Sequence, residues 1–78
     1  MVTLINIKRK NNIMECDYIP EFYDTQGHLE IDAVSETVIK HVPSQYDGDR
    51  TYAWMANVKL RELFKKEELP EKATVMWY

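Results

Sequence analysis

Apolar residues recur along positions 50–66 at the spacing of a helix lying on a core. On a wheel of 3.6 residues per turn, Tyr52, Ala53, Ala56, Leu60, Leu63 and Phe64 share one sector. Lys59, Arg61, Glu62, Lys65 and Lys66 fall outside it. The pattern predicts one α-helix over about 50–66. Asp49 or Thr51 can accept from a free first-turn N–H, Lys65 and Lys66 suit the negative end of the dipole, and Pro70 stops the run. Two apolar residues break the sector. Trp54 and Val58, one turn apart, lie on the far side beside Arg61 and Lys65.

Elsewhere the apolar period is two. Residues 2–7 predict a strand, with Val2 and Leu4 on one face and Ile5 and Ile7 on the other, which suits an interior position in a sheet. Residues 8–12 read as a turn, because Asn11 and Asn12 tolerate left-handed backbone. In 13–19, Met14, Cys16 and Tyr18 alternate with Glu15 and Asp17, and Pro20 marks an end, a bulge or an edge. The turn 24–27 places Gly27 where positive φ is expected. Residues 28–34 alternate Leu29, Ile31 and Ala33 with His28, Glu30 and Asp32; 37–42 form a fourth strand, 44–48 a loop, and 73–78 a last strand. The class is α+β: a mostly antiparallel four- to five-stranded sheet with one helix on one face, in the order β-β-β-β-α-β. The closing strand is expected beside residues 2–7. All 78 residues form one small domain.

Composition narrows the function classes. The single Cys16 leaves no internal disulfide and no Cys-rich zinc site. No apolar run approaches the ~20 residues of a membrane helix, and residues 1–10 put their cations after the apolar positions, the reverse of a signal peptide. These features point to a reduced, cytoplasmic setting without a membrane partner. The net charge is −3, unevenly spread: residues 11–49 hold nine acids against Lys40 alone, while 50–66 are basic. An acidic sheet facing a basic helix flank within one molecule accounts for that layout.

Each chemical motif has a plainer reading. His28, Glu30 and Asp32, with Glu15 and Asp17 across a hairpin, have the donor types of a metal site, but alternation on a half-exposed sheet produces the same cluster. Cys16 with His28 or His41 is formally a nucleophilic pair. Cys16 belongs to the inner face, His28 to the outer one, and His41 shares a face with Ile39, so no catalytic residues and no enzyme activity are assigned. No Gly-rich phosphate loop or dinucleotide fingerprint is present, and neither cofactor, metal nor small-molecule substrate is inferred. The expected function is a small non-catalytic binding or regulatory module acting through protein–protein contacts, with a protein partner or a second copy. Its candidate contact residues are Trp54, Val58, Arg61, Lys65, Trp77 and Tyr78. The alternative is a nucleic-acid-associated accessory protein, either binding weakly through Lys8, Arg9 and Lys10 or acting as an acidic decoy. A pI near 5.3 weighs against the binding form.

Overall fold

A computed structural model describes residues 1–20, 25–44 and 49–76, the side chains of 49 and 50 excepted. Five strands and one helix follow one another as β1 (Val2–Lys10), β2 (Ile13–Pro20), β3 (Gly27–Asp32), β4 (Thr37–Val42), α1 (Asp49–Phe64) and β5 (Lys72–Val75). All neighbouring strands are antiparallel, in the spatial order β4-β3-β2-β1-β5. The α+β class and the β5–β1 pairing agree with the sequence pattern. The predicted turn 24–27, the loop 44–48, capping by Asp49, and Trp77 and Tyr78 lie wholly or partly outside the described residues.

One layer of side chains joins helix to sheet. Val2, Leu4, Ile7, Met14, Cys16, Tyr18, Leu29 and Ile31 meet Ala53, Ala56, Leu60 and Leu63, and Tyr52 and Phe64 pack at the margin. Cys16 therefore sits inward, as its alternation with Asp17 predicts. Each large side chain in this layer contributes roughly 1.5–3 kcal/mol.

Three details depart from the simple periods. In β1, Asn6 and Ile7 together face Cys16, a bulge with Asn6 at φ 54°. The extra residue shifts the phase, so Ile7 joins Val2 and Leu4 in the core and only Ile5 faces away. β1 then continues through Lys10, and the expected five-residue turn shrinks to Asn11–Asn12, with Asn11 left-handed. A second bulge inserts Ile39 between Val38 and Lys40, which pair with Ile31 and Glu30.

Gly27 has no positive φ; it opens β3 opposite Tyr18. A Cβ there would run into the Tyr18 ring, so close approach explains the glycine. β3 also stops at Asp32, two residues short of expectation. The Asp32 Oδ1 accepts from the N–H groups of Val34 (2.9 Å) and Ser35 (3.0 Å), bending the chain into a turn that Glu36 leaves at φ 60°.

α1 ends before Lys65. The Arg9 guanidinium donates to the carbonyls of Phe64 (3.1 Å), Lys66 (2.6 Å) and Glu67 (3.0 Å), satisfying the helix end with a cation from β1. Lys65 and Lys66 follow the last turn, and Pro70 lies well beyond it.

In urea titrations Leu60→Ala is expected to lose about 2–5 kcal/mol by emptying a fully buried site. Gly27→Ala is expected to lose about 1–3 kcal/mol by overpacking against Tyr18. Unchanged midpoints for both would contradict the packing described.

Candidate functional site

The outer face of the sheet, opposite α1, collects the acidic alternation of two strands. Register sets Glu15 against Glu30 and Asp17 against His28. The His28 ring lies between them: Nδ1 is 2.8 Å from Asp17 Oδ1, and Nε2 is 2.6 Å from Glu30 Oε2 and 3.8 Å from Glu15 Oε2. Asn6 Nδ2 donates to the other Asp17 oxygen at 2.8 Å, so the β1 bulge anchors the network.

Charge follows geometry. The hydrogen bond to Asp17 holds the His28 pKa above its ordinary value; partial desolvation opposes this and the Glu30 bond reinforces it. Partial burial would raise the Asp17 carboxyl, but bonds from Asn6 and His28 outweigh it and hold the group below its usual range.

Glu15, His28 and Glu30 bring one ligand atom each within 4.8 Å of one another, and a carboxylate on Nδ1 is the contact that orients metal-bound histidines. Nε2 is already bonded to Glu30, however, and a cation would have to replace that bond. The arrangement is a network of three carboxylates around one imidazole. Asp32, grouped with it by alternation, caps the turn instead.

Cys16 is fully buried, and desolvation, with the nearby charges of Asp17 and Glu15 adding, pushes its thiol up to about 12. That suppresses the thiolate a nucleophile needs. Register places His41 opposite Leu29, and the bulge at Ile39 aligns it with Val38 on the helix side. Its Nε2 shares a 2.6 Å hydrogen bond with the Tyr18 hydroxyl, an inner-face partner that the Ile39 pairing did not anticipate.

The helix flank toward β4 is the third candidate. Trp54 is 58% exposed and Val58 36%. The Arg61 guanidinium lies over the Trp54 ring, 5.5 Å from its centroid, and 3.6 Å from Glu36. Lys65 lines a hollow with Val58, Arg61 and Glu36, so four of the six candidate contact residues share one flank. α1 makes contacts with β1, β2, β3 and β5 but none with β4, every residue of which is exposed. Beside Trp54, a cleft of about 310 Å³ is lined by Leu29, Val38, His41, Ala53 and Asn57.

Asn57, absent from the sequence-derived candidates, is 8% exposed, and among the described residues its amide has no hydrogen-bonding partner. A polar residue between Ala53 and Leu60, inside the apolar sector, was the available signal.

The cations of the nucleic-acid alternative are differently placed. Arg9 is engaged by the helix end, and Lys8 and Lys10 line a hollow with Glu15 and Glu30. No protein-family model matches the chain, and no curated protein or solved structure is significantly similar to it.

A raised folded pKa means that the His28 contribution is complete below the ring's unfolded value, about 6.5, and is lost as pH rises through the folded value. Stability is therefore expected to fall by about 1 kcal/mol or less as pH rises from 6 to beyond the folded pKa. His28→Gln removes that fall in urea titrations across the range. An identical pH slope in both proteins would refute the network.

Proposed function

We propose that the protein is a small non-catalytic binding module that acts through protein–protein contacts, with the Trp54–β4 flank as its contact surface and a second copy of the chain as its partner. The observation that carries this reading is Trp54, more than half exposed on a helix flank beside an edge strand that α1 does not cover. Tryptophan is among the residues most enriched at binding hot spots, and Arg61 and Lys65 supply a polar rim.

The strand itself supports the reading. Among the described residues β4 pairs only with β3, which leaves one row of N–H and C=O groups for another strand. Edges are commonly blunted by charge; here Lys40 and His41 are the only polar residues between exposed Val38, Ile39 and Val42.

Charge favours a second copy. Glu36 precedes β4, while Lys40 lies in its second half. When two such strands pair antiparallel about a two-fold axis, the beginning of each meets the end of the other, bringing opposite signs together. A patch of one sign would instead fit an oppositely charged partner. The nucleic-acid alternative draws no comparable support, since Arg9 is engaged by α1.

Sedimentation velocity over a concentration series tests the proposal. Wild type is expected to pass from monomer to dimer, and Trp54→Ser to remain monomeric, with a melting temperature at low concentration within a few degrees of wild type. A wild-type chain that stays monomeric throughout overturns the second copy as partner. A loss of roughly 3–5 kcal/mol in Trp54→Ser, with dimerisation intact, makes Trp54 a core residue and overturns the contact surface.

A further inference from the structure

We propose that the cleft between α1 and β4 binds a single flat ring bearing an amide edge, an N–H and a C=O side by side, as in pyrimidine lactams and aromatic carboxamides. The argument begins with Asn57. The residue is 8% exposed and lines the cleft, and among the described residues its amide has no protein partner and is left open to solvent there. A carboxamide offers an acceptor and two donors in one plane, and its complement is a planar group with a donor and an acceptor on adjacent atoms. Asparagine pairs with the adenine edge by the same geometry.

The surrounding residues fit a ring. Leu29, Val38 and Ala53 supply apolar surface, and Trp54 at the rim offers an aromatic face for stacking. His41 adds a second polar group, held at Nε2 by the Tyr18 hydroxyl. A volume of about 310 Å³ lies at the lower end of the ~300–1,000 Å³ range of ligand pockets, enough for one or two rings. An apolar pocket with a few convergent polar groups is the usual form of a small-molecule site. None of this needs self-association: the cleft is formed within one chain.

The test is a titration of the ¹⁵N-labelled protein, dilute enough to be monomeric, with uracil and with nicotinamide, and with benzene as a ring without an amide edge. Uracil or nicotinamide is expected to move the Asn57 side-chain amide and the Trp54 indole resonances, saturating at millimolar concentration. Asn57→Leu should keep the fold with an equal or higher melting temperature. It should also weaken the amide-edged probe about tenfold, as loss of a good hydrogen-bonded pair does, with benzene unaffected. The proposal is overturned if neither probe moves the Asn57 amide, or if Asn57→Leu binds as wild type does. An Asn57→Leu chain that fails to fold also overturns it, because the amide would then serve the fold and not a ligand.

Discussion

One helix cannot cover five strands, and most of this structure follows from that mismatch. A helix with its side chains is about 10–12 Å across, whereas strands ~4.8 Å apart put the outermost two of five roughly 19 Å apart. α1 lies along the middle of the sheet, with Ala56, Leu60 and Leu63 over Met14, Cys16 and Tyr18 of β2 and their neighbours on β1 and β3. β5 reaches it only through the half-buried Ala73 and Val75, and β4 lies beyond it. The exposure of Val38 on the helix side of β4, and of Trp54 and Val58 on the adjoining flank, is the geometric remainder. The cleft at Asn57 is another part of the same gap.

The face without a helix is organised by polar contacts. The Asn6 bulge does two things at once: it turns Ile7 into the core and aims an amide at Asp17. Asp17 then orients His28, which bridges to Glu30, so three strands are tied together on the open face by side chains that also satisfy one another. Arg9, further along β1, reaches round to the end of α1. β1 therefore anchors both layers, through apolar residues in its first half and hydrogen bonds in its second.

Much of the fold was legible because most elements obey one period. The helical sector from Ala53 to Leu63 and the alternation of Met14, Cys16 and Tyr18 both translate directly into burial. The errors fall where a single residue breaks the period. A bulge at Asn6 or Ile39 reverses the face of everything after it, and sequence spacing does not mark which residue will be left unpaired. Gly27 was read through its backbone freedom, whereas the reason for it is a ring contributed by another strand. Arg9 was read as a surface cation because its partners lie more than fifty residues away. Of the candidate site, Trp54 and Val58 were visible as apolar residues off the sector. Asn57 was not singled out, since its meaning depends on His41 and Val38 lying across the cleft.

The proposed contact surface requires that β4, an edge strand among the described residues, be closed by a second copy of the chain. Amide hydrogen exchange along β4, measured at high and low protein concentration, reads this directly. The account predicts that the β4 amides not bonded to β3 exchange rapidly in dilute solution and become protected as concentration rises, while β2 amides stay protected at both. Concentration-independent exchange along β4 would contradict it.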